Sequence, residues 1–255
     1  MAARLELIAL GGFPLVQPGD DLVELLTAAL AANFLALEEG DVLVIAQKIV
    51  SKAEGRYVRL AEVEPSARAL ALAQEAHKDP RLVELILRES REVMRVRPGV
   101  IIVEHRNGYV HANAGIDKSN ITHPEGDPRV LLLPLDPDAS AAALRRGLAA
   151  RTGTTAQVII NDSAGRAWRN GTVGIAIGTA GLEPVRDQVG ERDLCGNVLE
   201  VTQPAEADEL AAAASLLMGQ AAEARPVVLV RGARLGRAEC GSGSLLRERA
   251  MDLFR

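Results

Sequence analysis

The strongest constraint on the fold is a short β-branched run, Val-Ile-Ile at residues 158–160, followed directly by Asn-Asp-Ser-Ala-Gly at residues 161–165. Such a run is typical of a buried strand, and the Asp-Ser-x-Gly sequence predicts a turn at its end. A carboxylate and a hydroxyl at the mouth of a strand are suited to binding a metal ion and a polyphosphate. Taken alone, the segment favours an ordinary Asx-turn that only ends a strand.

A second aspartate follows two further predicted strands, at residues 100–104 and 109–112. It is Asp117, the last residue of the motif Asn-Ala-Gly-Ile-Asp. Asp117 and Asp162 are distant in sequence, but two aspartates at strand ends could meet over one divalent ion. Two carboxylates with few other protein ligands are suited to Mg²⁺ or Mn²⁺ carrying substrate phosphates, rather than to zinc.

Charge and composition argue against two classes of partner. The net charge of −5 leaves no excess of basic residues for the phosphates of a nucleic acid, and aromatic residues make up only 2% of the chain. No apolar run reaches membrane-spanning length and no signal peptide is recognisable, so we expect a cytoplasmic protein without membrane contact. Cys195 and Cys240 lack a metal-binding spacing and are expected to be reduced thiols.

The order of predicted elements indicates mixed β-sheets with helices, either α+β or irregular α/β, because strands and helices do not alternate strictly. A length of 255 residues fits one large domain or two intimately packed subdomains. Beyond the strands already named, strands are expected at residues 4–10, 41–46, 129–135, 172–177, 199–202 and 227–230. Helices are expected from about residue 22 to residue 30 and at residues 65–77, 80–91, 139–150 and 206–218.

Local signals refine these boundaries. Pro65 and Pro80 are placed in the first turns of their helices, and the charged cluster at residues 89–93 is interpreted as a solvated helix end. The sequence Gly-Thr-Ala-Gly at residues 178–181 predicts a turn, and Gly219 predicts a helix C-cap.

Two further segments are candidates for phosphate binding. The Gly-Gly-Phe-Pro-Leu sequence at residues 11–15 could press backbone amides against a ligand, or could be an ordinary strand-to-helix connection. Lys48 and Lys52 directly follow a core strand and could meet phosphates, or could lie at a solvated strand end. His111 and His123 flank the Asp117 segment, where acid–base and structural roles are both open.

Eight short motifs follow one another along the chain. They are Gly-Phe-Pro-Leu (12–15), Gln-Lys-Ile-Val-Ser-Lys-Ala-Glu-Gly-Arg (47–56), Asn-Ala-Gly-Ile-Asp (113–117), Leu-Pro-Leu-Asp-Pro-Asp (133–138), Asp-Ser-Ala-Gly-Arg (162–166), Trp-Arg-Asn-Gly (168–171), Ala-Asp-Glu-Leu (207–210) and Leu-Met-Gly (217–219). Each motif is weak alone, but the ordered set runs from the first strand nearly to the C-terminus. In this order the motifs resemble those of the coenzyme F-420-0:L-glutamate ligase (gamma-glutamyl ligase) family.

The resemblance implies a GTP-dependent ligase that adds L-glutamate to the deazaflavin precursor F-420-0 through an acyl phosphate, followed by further gamma-linked glutamates. It also implies a two-part α+β fold, an intertwined homodimer and a requirement for Mg²⁺ or Mn²⁺, and it leaves a role for K⁺ open. Some relatives continue into a nitroreductase-like domain; this chain is expected to be the single-domain form, with residues 1–255 as one family domain.

The resemblance also assigns residues. Asp117, Asp162, Lys52 and Arg166 are implied as catalytic residues. Metal ligands are expected at Asp117, Asp162, Ser163 and Gln220, and Gln220 departs from the metal-binding glutamate of archaeal members. The implied GTP site comprises Phe13, Pro14, Leu15, Val16, Gln47, Lys48, Lys52, Asn120, Met218, Gly219, Gln220, Ala221, Ala222 and Glu223.

The deazaflavin substrate is expected to meet Arg166, Trp168 and Arg169, although Trp168 could instead be a packed structural residue. Three other functions compete with the ligase. They are a ligase of the same architecture that acts on another carboxylated cofactor, a catalytically weak GTP-binding regulatory protein, and a metal-dependent phosphatase.

Overall fold

The computed structural model describes residues 3–123 and 127–253. This part of the chain contains mixed β-sheets with helices, so the predicted α+β class is confirmed. The strands are β1 (Glu6–Ala9), β2 (Val42–Ala46), β3 (Tyr57–Arg59), β4 (Ser90–Arg97), β5 (Val100–His105), β6 (Val110–Ala112), β7 (Arg129–Leu131), β8 (Gln157–Arg166), β9 (Arg169–Ala180) and β10 (Val227–Arg231). The α-helices are α1 (Leu22–Ala32), α2 (Gln47–Ala53), α3 (Ala67–Ala76), α4 (Pro80–Arg88), α5 (Pro137–Thr152) and α6 (Glu206–Met218).

The largest sheet has the strand order β1-β10-β2-β8-β9. Its β2–β8 pair is parallel and its other pairs are antiparallel, so β1, β2 and β8 run in the same direction. Their carboxyl ends therefore lie at one edge of the sheet, and segments that leave these ends converge there.

The β-branched run of β8 is buried on both faces of this sheet. Ile160 packs in a cluster with Leu26 of α1 and Leu148 of α5, whereas Ile159 packs with Ala211 of α6 on the opposite face. This alternation is the period of two that a strand imposes on its side chains. Because helices cover both faces of this sheet, its central strands are continuous runs of apolar residues.

A second set of elements packs around a separate apolar cluster. The sheet β4-β5-β6 and the ribbon β3-β7 lie with α3 and α4 around side chains that include Leu82, Ile86, Ile101 and Val103. Asp117 joins this set, because its backbone exchanges hydrogen bonds of 2.9 and 3.0 Å with the last residue of β7.

Two predicted turns are wrong. Residues 161–165 continue β8 instead of ending it, because β9 pairs with them as far as Arg166. Asp162 and Ser163 are therefore strand residues within a long hairpin. Residues 178–180 likewise belong to β9.

The segment at residues 89–93 is not a solvated helix end. Glu89 is buried where α4 ends, and β4 begins at Ser90. Pro80 is at the start of α4 as predicted, whereas Pro65 precedes the N-cap of α3, which is Ser66. Lys48 and Lys52 lie on α2 rather than at a solvated strand end, and residues 199–202 form no strand.

Close packing of β9 against α5 depends on Gly178. A Cβ at this position would lie 2.5 Å from the backbone carbon and oxygen of Pro137, closer than real contacts allow. We expect Gly178→Ala to destabilise the fold by about 1–3 kcal/mol, the usual range for overpacking, and to lower Tm by roughly 2–12 °C.

Gly165→Ala in β8 is the matched control, because an added Cβ there meets no atom within 4 Å. Its Tm in a thermal unfolding experiment should stay near that of the wild type. Equal losses in the two variants would contradict a packing role for Gly178.

Candidate functional site

The converging strand ends form the base of a cavity of about 550 Å³. This volume is within the usual range for small-molecule sites. The segments after β1 and β2 and the middle of β8 form its floor, and residues 117–122 and 218–226 form its walls. The lining residues on the floor include Phe13, Gln47, Lys48, Lys52, Asn161 and Asp162.

Most of the sequence-predicted site residues lie together in this cavity. Every residue of the expected GTP site lines it, and so do Asp117, Asp162 and Ser163. The three residues expected to meet the deazaflavin, Arg166, Trp168 and Arg169, are absent from the lining.

A left-handed turn precedes Asp117. Asn113, Ala114 and Gly115 have φ angles of 51°, 54° and 66°. Residues with a Cβ rarely adopt this conformation, and it persists only where surrounding structure holds it. Asn113 Oδ1 accepts a hydrogen bond of 3.1 Å from the backbone of Ile101 in β5, and Ala114 is fully buried. The turn thus fixes the direction in which the chain reaches Asp117.

The Asp117 carboxylate is held by two donors from α2. Lys48 Nζ lies 2.5 Å from Oδ1, and Gln47 Nε2 donates a hydrogen bond of 2.6 Å to Oδ2. Gln47 is itself fixed by Ser51, whose hydroxyl donates to Gln47 Oε1 at 2.9 Å. Burial raises the pKa of Asp117 and the Asp162 charge adds to this effect, while Lys48 opposes it.

The Asp162 carboxylate is fixed from the other side. His111 Nε2 lies 2.9 Å from Oδ2, and the backbone N–H of Ser163 donates to Oδ1 at 2.8 Å. Burial lowers the pKa of His111, but the Asp162 carboxylate outweighs burial and raises it above its ordinary value.

Two ammonium groups on α2, those of Lys48 and Lys52, line the cavity beside the carboxylates. The pKa of Lys52 is lowered by burial and by the neighbouring Lys48, and Asp117 opposes this shift. Like charges that are held close together are relieved when an anion binds between them. Phosphate oxygens are suitable ligands for such a pair.

Two loops meet over the cavity. Asn120 Nδ2 donates a hydrogen bond of 3.0 Å to the carbonyl of Ala221, which is 101 residues away in sequence. The second loop begins at Gly219, which has a φ of 72° and ends α6 as predicted. This hydrogen bond joins the segment after Asp117 to the segment after α6.

The residues present fit a divalent ion of the Mg²⁺ type. Asp117, Asp162, Ser163 and Gln220 all line the cavity, and their side chains carry oxygen atoms, the donors that Mg²⁺ and Mn²⁺ prefer. Within residues 3–123 and 127–253, no three His, Cys, Asp or Glu side chains cluster to form a metal site. An ion at the aspartates would therefore take its other ligands from water and substrate phosphates, as Mg²⁺ usually does.

The predicted deazaflavin contacts lie at the tip of the β8–β9 hairpin. Trp168 is 86% exposed and has a φ of 65°, so it is not a packed structural residue. Arg166 Nη1 donates to the carbonyl of Gly171 at 3.2 Å, a contact within the tip itself. The tip thus presents an aromatic ring and two arginines outside the cavity.

A known protein family matches most of the chain. The profile of the family described as F420-0:Gamma-glutamyl ligase matches residues 12–232, which include both aspartates and both loops of the cavity. The chain belongs to this family.

Several relatives in this family resemble the chain over nearly its whole length. The Coenzyme F420:L-glutamate ligase of Methanothermobacter thermautotrophicus is 50% identical over 253 residues, covering 98% of this chain and 99% of that protein. The ligase of the same name from Methanopyrus kandleri is 48% identical over 244 residues, covering 94% and 93%. The one from Archaeoglobus fulgidus is 44% identical over 242 residues, covering 95% and 92%.

One further property follows from the helices. In the described residues, no helix is both long and apolar enough to span a membrane.

Several residues in or beside the cavity were not assigned to the site from the sequence, and three of them make contacts that shape it. Tyr57 lines the cavity, and the Arg129 guanidinium lies 4.4 Å from its ring centre. Asn161 lines the cavity and donates to Ser215 Oγ at 3.1 Å. His111 was noted only as a neighbour of the Asp117 segment, and its contact with Asp162 crosses between two sheets, which no local pattern signals.

Proposed function

We propose that this protein is a GTP- and divalent-metal-dependent ligase that adds L-glutamate to F-420-0 and then further gamma-linked glutamates. The observation that carries this proposal is that Asp117, which makes a β-bridge to the end of β7, and Asp162 of β8 line one cavity with Lys48 and Lys52. Family membership and the names of the relatives support the ligation of L-glutamate to coenzyme F420.

The reaction has to activate a carboxylate, because an oxide is too poor a leaving group for an amine to displace. Transfer of the γ-phosphoryl group of GTP to the carboxylate gives an acyl phosphate and GDP. The amine of glutamate then attacks the acyl carbon, the bond to the phosphate oxygen breaks, and an amide and inorganic phosphate are formed. Such a reaction depends on positioning and charge stabilisation more than on covalent catalysis by the protein.

Different residues of the cavity would bind the metal ion and the phosphates. Asp117 and Asp162 would hold a divalent ion, with Ser163 and Gln220 as further ligands. The ion would neutralise charge on the triphosphate and on the transferring group. Lys48 and Lys52 bind phosphate oxygens as point charges. Lys48 therefore leaves the Asp117 carboxylate and contacts a phosphate of the nucleotide when the nucleotide binds. The Asn120–Ala221 hydrogen bond keeps the two loops closed over the bound nucleotide.

We further propose that the enzyme works in the cytoplasm as an intertwined homodimer of two-part subunits, with K⁺ as an additional activator. These features rest on the family resemblance. Sedimentation of the purified protein tests the dimer, and omission of K⁺ from the assay tests the activator.

The experiment that tests the function is a ligation assay with purified protein, F-420-0, L-glutamate, GTP and Mn²⁺ or Mg²⁺. Mass spectrometry should show products that have gained glutamate units, and GDP should appear in equal amount. Protein that binds GTP but adds no glutamate would contradict the assignment.

The competing functions give different results in the same assay. A ligase for another cofactor would require a different carboxylated acceptor, and a regulatory protein would bind GTP without turnover. A phosphatase would release phosphate when glutamate is omitted.

The hairpin tip provides a prediction about substrate binding. We expect Arg169→Ala to raise KM for F-420-0 by about 10–100-fold, since a charge-assisted hydrogen bond contributes about 1.5–3 kcal/mol. Affinity for GTP should not change, because Arg169 lies outside the cavity. Arg151→Ala, at the end of α5, is the control, and unchanged kinetics in Arg169→Ala would remove this arginine from the substrate site.

A further inference from the structure

A histidine from a different sheet lies behind Asp162. His111 is in β6, and its side chain is only 6% exposed. Its Nε2 lies 2.9 Å from Asp162 Oδ2, yet the ring is not aligned for a complete hydrogen bond. A buried N–H without a well-aligned acceptor is unfavourable.

The His111 ring is restrained by its neighbours. Tyr109 packs edge-on against it, with ring centres 6.2 Å apart, and His105 stacks on Tyr109 at 4.9 Å. Nδ1 of His111 lies 3.4 Å from the carbonyl of Ala112. A ring held in this way can fix the orientation of a carboxylate.

Asp162 and Asp117 receive different kinds of support. Asp117 is held by Lys48 and Gln47, which themselves line the cavity and are available to a nucleotide. His111 is absent from the lining and so remains behind Asp162 when the cavity is filled. It is the side-chain contact that can stay with its carboxylate while a ligand binds.

We propose that His111 is a positioning residue, which orients the Asp162 carboxylate for a divalent ion. This proposal rests on the proposed function only in taking Asp162 as a metal ligand. Partners of metal-binding side chains typically change metal affinity by 10–100-fold when they are removed.

The test compares His111→Gln, which keeps an N–H donor, with His111→Met, which has similar bulk and no donor. Mn²⁺ is titrated into each protein in the presence of GDP, and free Mn²⁺ is measured by electron paramagnetic resonance. We expect His111→Met to weaken Mn²⁺ binding by about 10–100-fold, and His111→Gln to remain within a few-fold of the wild type. GDP affinity measured in EDTA should be unchanged in both variants.

A second measurement separates positioning from general damage to the fold. In an Asp162→Asn background, His111→Met should cause no further loss of Mn²⁺ affinity, because it acts through that carboxylate. Wild-type Mn²⁺ affinity in a folded His111→Met protein would overturn the proposal, as would equal losses in His111→Gln and His111→Met. The titration needs no turnover, so its outcome is independent of whether the wild type ligates glutamate.

Discussion

Asp117→Asn is expected to abolish glutamate ligation while leaving the protein folded. The substitution removes the charge of one of the two aspartates in the cavity and leaves Lys48 without its ion-pair partner. Stabilisation of transition-state charge by a bound ion is worth several kcal/mol, which corresponds to a loss of about 10²–10⁴-fold in kcat. Glutamate-dependent GDP formation measures this loss directly.

Asp208→Asn is a matched control for this variant. Asp208 is also largely buried, and burial raises its pKa, but it lies on α6 outside the cavity lining. Its Oδ1 accepts a hydrogen bond from the backbone of Ala176 at 2.8 Å, and an asparagine oxygen can accept the same bond. Ligation by Asp208→Asn should stay close to that of the wild type, and a similar loss in both variants would argue against a special role for Asp117.

Glu89→Ala is expected to cause a large loss of stability, although Glu89 lies outside the cavity. The Glu89 carboxylate is buried, and its Oε2 lies 2.9 Å from Arg56 Nη2 and 3.4 Å from Arg106 Nη2. Removing one partner of a buried ion pair costs about 3–5 kcal/mol, because the remaining charge is left uncompensated. Tm should fall by roughly 6–20 °C, whereas Glu62→Ala, in an exposed pair with Arg59, should change Tm little.

The effect of Glu89 should depend on pH. Burial raises the pKa of Glu89, but contact with His105 and the charges of Arg56 and Arg106 outweigh burial and lower it. A carboxylate with a lowered pKa in the folded state stabilises the protein fully above its ordinary pKa, and loses this contribution as the pH falls through the folded-state value. The difference in Tm between the wild type and Glu89→Ala should therefore shrink in acid and remain constant near neutral pH.

The elements that were predicted well have strong local signals. α6 was placed at its observed bounds because the segment is rich in alanine and Gly219 ends it. α5 begins with Asp136 as its N-cap, which accepts from the backbone of Ala139 at 3.0 Å. The core strands β2, β8 and β10 were found because both of their faces are buried.

The errors came from contacts between distant segments. Asp162 and Ser163 resemble a turn locally, but pairing with β9 keeps them in a strand. Glu89 resembles a solvated charge, and only the arrival of two arginines from elsewhere in the chain allows it to be buried. Local propensity is a weak guide wherever tertiary contacts decide the outcome.

In the candidate site, too, residues with a local sequence signal were predicted, and contacts between distant segments were not. The lysines, the aspartates and the loops that follow Asp117 and α6 were assigned from motifs that resemble a known family, and these residues do converge on one cavity. The sequence could not show that Arg166 and Trp168 lie outside the cavity at a hairpin tip. It also could not show that His111 supports Asp162, because β6 and β8 belong to different sheets.

The two aspartates of the cavity belong to parts of the chain that are built around different apolar clusters. Asp117 is tied to β7, beside the cluster of Ile86 and Ile101, whereas Asp162 lies in β8. A ligand that contacts both carboxylates would connect the two parts of the chain. Its binding would raise the free energy of unfolding of the whole chain, by about 2.7 kcal/mol at a free-ligand concentration of 100 times Kd. Since the abundance of a protein in a cell follows its unfolded fraction, the supply of nucleotide and metal would govern how long each molecule survives as well as how fast it works.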